Sequence, residues 1–187
     1  MSKDTYRIQV AGLERDLPLC PISDKLKIGA FVIFGDTELT CACARHLAAK
    51  APAHDVLITA ESKGIPLIHE MARQAGEKRY VLARKSVKLY MKDVRRVDVT
   101  SITTANPQTL YVDGADAEYM KGKRVLIVDD VISTGESLHA LEQLVEQSGG
   151  EIVGRMAILA EGDAIGRKDI TYLAPLPLFD SEGNPLA

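Results

Sequence analysis

The sequence contains few of the residues on which several classes of binding protein depend. It has no Trp, and its aromatic residues are 6 Tyr and 3 Phe, which leaves few rings on which a single-stranded nucleic acid could stack. Basic residues do not predominate, because 23 Lys and Arg stand against 26 Asp and Glu, for a formal net charge of −3. A non-specific nucleic-acid binder is expected to carry a large positive surplus, so we expect no nucleic-acid partner.

Long apolar runs and a cysteine framework are also missing. No apolar stretch approaches the roughly 18 to 20 residues of a membrane span, and the N-terminus MSKDTYRIQV has no apolar signal core. The chain has 3 Cys, an odd number without framework spacing, which is typical of a reducing compartment. We therefore expect a cytoplasmic protein that does not associate with membranes.

A small Cys and His cluster could be taken for a metal site. Cys41, Cys43 and His46 lie close together in the sequence. A C-x-C pair with one nearby His lacks the second pair of ligands that a structural zinc site uses. Because free Cys is often buried, core residues of a helix are the better interpretation.

The remaining composition is that of an ordinary globular chain. Its 187 residues, 46% of them hydrophobic and 26% charged, are enough for one core and short for two. The sequence shows no repeat, low-complexity tract or Gly/Ser linker, so we expect a single domain over residues 1–187.

Short apolar runs alternate with helical patterns, which predicts an α/β fold with a mostly parallel sheet covered by helices. The predicted strands are 55–60, 80–83, 124–129 and 152–159, and the predicted helices are 65–74, 137–147 and one that runs through Ala48 with Asp36 as its N-cap. Ligands of such sheets bind at the carboxyl ends of the strands. A site is therefore expected in the loops after Ala60, Ala83, Asp129 and Ala160.

Two segments do not follow the alternation. Residues 1–35 contain Pro18 and Pro21 and are expected to form a small appendage, or hood, beside the sheet. Residues 85–113 are rich in Lys, Arg, Thr and Ser, and a connection of this length inside a compact domain is usually functional or mobile.

The strongest motif is VLIVDDVISTGES, residues 125–137, in which an apolar strand leads into Asp129 and Asp130 and then into a helix. The helix N-terminus presents free N–H groups and a positive dipole end that suit a phosphate. Gly135 allows close approach of the backbone. The carboxylates can accept hydrogen bonds from a sugar diol or help to position hydrated Mg²⁺.

This motif resembles the phosphoribosyl-pyrophosphate (PRPP) motif of the type I phosphoribosyltransferases. The resemblance implies the fold of that family and places Asp129 and Asp130 at the ribose hydroxyls as catalytic residues. Glu136 departs from the Gly of many members, so its side chain must point away from the phosphate. The residues implied to hold the 5-phosphate are Ser133, Thr134, Gly135, Glu136 and Ser137.

Two further stretches extend the resemblance to the adenine enzymes of the family. TAESKG, residues 59–64, resembles their D-S-R-G pyrophosphate loop, and LARKSVKLYMKD, residues 82–93, resembles their R-K-x-x-K-L stretch. A surface turn is the alternative interpretation of the first stretch, and a solvated basic patch is that of the second. The implied pyrophosphate contacts are Glu61, Ser62, Lys63, Gly64 and Arg84, with Lys85 and Lys88 as catalytic cations.

The resemblance has implications beyond these stretches. Residues 85–113 correspond to the family's flexible catalytic loop, which closes over the substrate, and the basic stretch lies beside the family's dimer interface, so a homodimer is expected.

Base recognition is the least determined part of the resemblance. The adenine enzymes carry an F-R-D-I-S-like stretch, to which Leu19–Ser23 is the nearest match, without Arg or Asp. The Ser101–Thr104 stretch is more similar to the xanthine enzymes, whereas LAPLPLF near the C-terminus resembles the adenine enzymes. The predicted base contacts are Ile22 and Val131.

The resemblance implies a purine salvage enzyme that transfers ribose 5-phosphate from PRPP to a purine base, with adenine preferred and xanthine or guanine next. Mg²⁺ is expected to be held mainly by PRPP and water, with no direct protein ligand. One alternative is a PRPP-sensing regulator without catalysis, and another is an RNA-binding pyrimidine attenuation protein. The absence of a helix-turn-helix pattern and the net acidity argue against these two.

Overall fold

A computed structural model of the chain describes residues 4–99 and 108–186. The N-terminal strands are β1 (Thr5–Val10), β2 (Leu13–Pro21) and β3 (Leu26–Gly29). The helices are α1 (Thr37–Ala48), α2 (Ile65–Ala75), α3 (Gly114–Met120) and α4 (Glu136–Gln147). The later strands are β4 (Val56–Ala60), β5 (Val81–Ala83), β6 (Arg95–Val99), β7 (Gln108–Val112), β8 (Arg124–Ile132), β9 (Glu151–Glu161), β10 (Thr171–Leu176) and β11 (Phe179–Asp180).

The central sheet has five parallel strands in the order β10-β9-β8-β4-β5. Every residue of β4 is buried, as expected for a strand covered on both faces. This architecture confirms the predicted α/β class. Because all five strands point the same way, their carboxyl ends lie at one edge of the sheet.

The two faces of the sheet are covered by different elements. On one face, Leu141 and Leu144 of α4 are fully buried together with α3 and the β6–β7 pair. On the other face, α1 and α2 contribute Leu39 and Leu67, which pack with residues of the N-terminal strands. Each such leucine contributes roughly 1.5 to 3 kcal/mol by leaving water.

The N-terminal strands and β11 form a four-stranded sheet in the order β1-β2-β3-β11. We call residues 4–34 the hood. The edge strand β11 of this sheet comes from near the other end of the chain, and Phe179 of β11 packs on Tyr6 with 4.9 Å between ring centroids. Arg15 joins the hood to the start of α1 through ion pairs with Asp36 and Glu38, at 2.7 and 2.8 Å.

Asp36 is the N-cap of α1, as predicted, and its side chain accepts a hydrogen bond from the Leu39 N–H. The carboxyl ends of two strands differ most from the sequence prediction. β8 continues through Ile132, so that Asp130 lies within the strand rather than after it and Asp129 is not its last residue, and β9 continues through Glu161. Parallel pairing with neighbouring strands extends both elements beyond the apolar runs.

Three strand pairings could not be read from local patterns. β10 contains Pro175 and is short, and β11 has only two residues, Phe179 and Asp180. Inside residues 85–113, β6 and β7 pair in antiparallel fashion, with Val97 and Leu110 buried. The Ser101–Thr104 stretch lies outside the described residues.

No helix in the described part of the chain is both long and apolar enough to span a membrane.

Candidate active site

The carboxyl edge of the central sheet faces the hood across a cavity of about 330 Å³. Strand ends supply its polar wall, and residues 28–32 of the hood, together with Val131 and Leu176, supply most of its apolar wall. Its polar lining residues are Ser62, Lys63, Asp129, Asp130, Ser133, Ser137 and Glu161. The cavity therefore brings together members of all the predicted site groups except the basic stretch that follows β5.

Two adjacent buried carboxylates lie at the centre of this wall. Asp129 is 8% exposed and Asp130 is 4% exposed. Asp129 Oδ1 accepts hydrogen bonds from the Asp130 N–H at 2.9 Å and from Ser62 Oγ at 3.4 Å. Burial, together with the neighbouring Asp130 carboxylate, raises the pKa of Asp129. A cationic or hydroxyl-bearing ligand would relieve this concentration of acidic groups.

Lys63 connects the carboxylate pair to the hood. Its Nζ donates a hydrogen bond to the Phe31 carbonyl oxygen at 2.6 Å and lies 3.2 Å from Asp130 Oδ2. That carboxylate oxygen is buried and has no hydrogen-bond partner within the described residues, so the contact is an attraction of charges without a directed bond. Asp130 therefore retains acceptor capacity toward the cavity.

Gly64 allows α2 to begin directly beside the carboxylate pair. A Cβ atom at this position would lie 2.7 Å from Thr59 Oγ1 and 3.1 Å from Asp129 Oδ1. A larger residue would displace the Asp129 side chain or the start of the helix. The glycine of the TAESKG stretch is thus required by close packing against β8.

The turn between β8 and α4 has the geometry of an anion site. Gly135 has φ of 84°, which favours glycine, and α4 begins at Glu136. A recess of about 60 Å³ opens at this turn and is lined by Ser133, Thr134 and Ser137, among others. Helix N–H groups and hydroxyl donors converge there, as a phosphate requires.

Arg167 is a cation near this turn that the sequence reasoning missed. Its Nη1 lies 2.9 Å from the point where a Cβ of residue 135 would stand. The guanidinium is held by Asp169, with Nε to Oδ1 at 3.0 Å and Nη2 to Oδ2 at 2.5 Å. The segment after β9 brings Arg167 to this turn, and no local sequence motif predicts that placement.

The basic stretch after β5 is organised around Glu61. The Glu61 carboxylate accepts a hydrogen bond from the Lys85 N–H at 2.8 Å and lies 3.2 Å from Arg84 Nη2. The Lys85 N–H, with the positive charge of Arg84, lowers the pKa of Glu61. Lys85 is exposed, and Lys88 Nζ contacts Ser86 Oγ at 2.6 Å. Neither lysine lines the cavity, and Glu61 fixes the cluster instead of facing the cavity.

The two predicted base contacts are placed differently. Val131 lines the cavity, whereas the Ile22 side chain is 57% exposed in the turn before β3 and lies outside the lining. The hood residues that do line it are 28–32. The antiparallel pairing of β2 with β3 directs this later segment over the sheet edge, which the sequence pattern did not reveal.

No group of three or more His, Cys, Asp or Glu side chains in residues 4–99 and 108–186 could hold a metal ion. In the cluster considered above, Cys43 is buried among apolar residues, and His46 Nδ1 lies 2.9 Å from the Ala42 carbonyl oxygen.

Comparison with known proteins places this chain in a family. Residues 36–174 match the sequence model of the phosphoribosyl transferase domain. A hypoxanthine/guanine phosphoribosyltransferase of Methanococcus voltae is 36% identical over 118 residues, which are 63% of this chain and 59% of that protein, so the chain spans less than two thirds of this relative. An adenine phosphoribosyltransferase of Rhodococcus opacus is 33% identical over 144 residues, 77% of this chain and 78% of that protein.

Solved structures show the same fold. An adenine phosphoribosyltransferase of Thermoanaerobacter pseudethanolicus superposes with a TM-score of 0.65 at 23% identity, over 76% of this chain and 84% of that one. The enzyme of that name from Saccharomyces cerevisiae gives 0.62 at 20% identity, over 91% and 92%. The similarity to phosphoribosyltransferases in sequence is therefore matched by a similarity in the three-dimensional arrangement of the sheet and its helices.

Proposed function

The chain belongs to the phosphoribosyltransferase family, and on that premise we propose that it transfers ribose 5-phosphate from PRPP to a purine base, with adenine preferred. The observation that carries the proposal is the continuity of β8, the buried Asp129 and Asp130, and the Gly135 turn, which together offer acceptors for a sugar diol beside donors for a phosphate. The names of the adenine-specific relatives support the choice of base.

The substrate would lie along the carboxyl edge of the sheet. We place the 5-phosphate at residues 133–137, where helix N–H groups and hydroxyls converge. The ribose hydroxyls would donate to Asp130, whose Oδ2 has no other hydrogen-bond partner within the described residues. The base would then lie under the hood segment, residues 28–32, against apolar side chains.

In the reaction, the bond from ribose C1 to the pyrophosphate oxygen breaks, a purine nitrogen bonds to C1, and the proton of that nitrogen passes to pyrophosphate or water. No protein nucleophile is required, and catalysis consists of positioning and charge stabilisation of an oxocarbenium-like transition state. We propose that Lys63, Arg84, Lys85 and Lys88 stabilise the departing pyrophosphate. Lys63 is nearest to the carboxylate pair, and the others would approach from the stretch after β5.

Mg²⁺ is the proposed cofactor. This ion usually keeps several waters and binds through one or two carboxylates plus substrate phosphates. The adjacent Asp129 and Asp130, with one buried oxygen lacking a hydrogen bond, fit such a role and would hold the ion through water. When bound, Mg²⁺ would offset the negative charge of the pyrophosphate.

We extend the proposal to assembly, the catalytic loop and location. Val87, Leu89 and Tyr90 are 53%, 109% and 66% exposed, and these apolar side chains after β5 support a homodimer contact. Residues 85–113 would act as the catalytic loop that excludes water during the reaction. A reducing cytoplasm suits the three free cysteines.

A second candidate is transfer to a 6-oxopurine. The Methanococcus voltae relative, named as a hypoxanthine/guanine enzyme, has the higher identity over its shorter match, which favours keeping this candidate.

The experiment that tests the proposal incubates the protein with PRPP, Mg²⁺ and each of adenine, hypoxanthine, guanine and xanthine, and measures pyrophosphate release. We expect release with adenine above the other bases. Release with a 6-oxopurine alone would support the second candidate. Absence of release with every base would contradict both and favour a PRPP-sensing regulator.

A further inference from the structure

Glu161 is a polar lining residue of the cavity to which the mechanism assigns no role. It is the last residue of β9 and pairs with Leu176 of β10, another lining residue. Since β9 is the neighbour of β8, Glu161 stands one strand away from the carboxylate pair, at the same edge of the sheet.

The Glu161 carboxylate has no fixed partner. Within the described part of the chain it makes no hydrogen bond and no ion pair, in contrast to Glu61, which is bound by Lys85 and Arg84. Burial raises its pKa, and the positive charge of Lys63 opposes this shift. A half-buried acceptor of this kind gains more from a ligand donor than a solvated carboxylate does.

The surroundings of Glu161 indicate which part of the substrate it meets. Lys63, whose charge acts on Glu161, bonds to the Phe31 carbonyl oxygen of the hood. Leu176, the β10 partner of Glu161, lines the same cavity, as do Ile28 and Phe31 of the hood, whereas Ser133 belongs to the turn before α4. A slot lined by these apolar side chains, with Glu161 and Lys63 as its polar groups, suits a flat heterocycle better than a sugar or a phosphate.

Resting on the proposed function, we infer that Glu161 is a specificity-determining residue that accepts a hydrogen bond from the amino group of the purine base and disfavours a carbonyl oxygen at that place. A carboxylate only accepts hydrogen bonds, so an amino substituent forms a charge-assisted bond with it. A carbonyl oxygen in the same place would oppose a second acceptor and leave the carboxylate unpaired in the closed site.

The test compares AMP with IMP, nucleotides whose bases differ by an amino group against a carbonyl oxygen at position 6. Dissociation constants are measured by titration calorimetry for the unmodified protein, for Glu161→Gln and for Glu161→Lys. Glu151→Gln is the matched control, because Glu151 is exposed at the opposite end of the same strand. Thermal melting of each variant checks that it is folded.

We expect the unmodified protein and the Glu151→Gln control to bind AMP more tightly than IMP. In Glu161→Gln this preference should shrink by roughly 10-fold or more, mainly through weaker AMP binding, as expected for loss of a charge-assisted hydrogen bond. Glu161→Lys should favour IMP, because an ammonium donates to a carbonyl oxygen. PRPP affinity should stay within about 2-fold of the unmodified protein in Glu161→Gln if Glu161 meets only the base.

An AMP to IMP ratio that stays within about 2-fold in both Glu161 variants would overturn the inference. Equal weakening of AMP, IMP and PRPP would also overturn it, since Glu161 would then act on the part that all three share. Because the readout is equilibrium binding, it decides the inference even if pyrophosphate release shows that the proposed transfer does not occur.

Discussion

The cavity has two differently built parts. One continuous stretch of chain, residues 129–137, forms the part that we call the phosphate end, after its proposed ligand. The part beside the hood, which we call the hood end, is assembled from segments far apart in sequence. The phosphate end consists of backbone N–H groups, hydroxyls and two buried carboxylates. Apart from Val131, which belongs to the continuous stretch, the hood end consists of residues 28–32, Glu161 and Leu176. On the proposed function, the handling of PRPP would be encoded locally, while the choice of base would depend on how distant segments fold together.

The largest effect is expected from removing both charges at the phosphate end. Asp129→Asn combined with Asp130→Asn should lower kcat/KM on the order of 10³-fold, because the ribose would lose its charged acceptors. Stability should be retained, since two crowded buried carboxylates become neutral. Steady-state pyrophosphate release and thermal melting measure the two effects. Turnover near that of the unmodified protein would refute the placement of the ribose.

A smaller loss is expected from Gly135→Ala, which strains the turn that we propose receives the 5-phosphate. Its φ of 84° is costly for alanine, and the new Cβ would stand 2.9 Å from Arg167 Nη1. We expect about 1 kcal/mol of lost stability. The KM for PRPP should rise by roughly 10-fold, which corresponds to about 1.4 kcal/mol of lost binding free energy.

Gly122→Ala is the matched control for this variant. Its φ is 67° and no atom would lie within 4 Å of the new Cβ, so it should lose similar stability without a change in KM. Equal KM values for PRPP in Gly135→Ala and Gly122→Ala would count against a phosphate site at the turn. Chemical denaturation gives the stability of both variants.

At the hood end, Ile28→Ala should act on the base alone. Ile28 lines the cavity and is half-buried, so its truncation removes on the order of 1 kcal/mol of apolar contact. We expect the KM for the base to rise about 5-fold, with the KM for PRPP unchanged. Ile22→Ala serves as the control, since Ile22 is exposed outside the cavity. A larger effect of Ile22→Ala than of Ile28→Ala would reverse our assignment of the base wall.

The smallest effect concerns pH and the cluster that Glu61 fixes. Since the Lys85 N–H and Arg84 lower its folded-state pKa, Glu61 stabilises the fold above its unfolded pKa, about 4.3. The contribution is lost as pH falls through the lower folded pKa. Glu61→Gln should therefore reduce stability at pH 7 by less than about 1 kcal/mol, because the pair is partly exposed.

This difference from the unmodified protein should shrink as the pH falls below about 4. Denaturant unfolding at pH 7 and pH 3 measures it. A stability difference that grows toward low pH would contradict the proposal that the Glu61 carboxylate stabilises the fold through Lys85 and Arg84.

The sequence reveals these two ends to different degrees for a physical reason. The strand–turn–helix at residues 125–137 is a local unit, so the Asp pair and the Gly135 turn could be located from the motif alone. The family and the α/β fold predicted from this motif are confirmed. Pairing of Phe179 with Lys27, by contrast, joins opposite ends of the chain, and no local period records it.

The residues that sequence reasoning missed also reach the site through segments that are distant in sequence from the motif. Arg167 reaches the phosphate turn from the segment after β9, and Glu161 reaches the cavity only because β9 extends beyond its apolar run. Ile22 was predicted at the base from a similarity of short stretches, whereas residues 28–32 are those that line the cavity. The functional assignments of individual residues remain predictions that the variants above test.

The most direct measurement is a crystal structure of the protein with AMP bound. We expect the phosphate at residues 133–137, the ribose hydroxyls on Asp130, and the adenine between residues 28–32 and Leu176. An AMP phosphate bound elsewhere, or a base pointing away from the hood, would contradict the division of the cavity into a phosphate end and a base end.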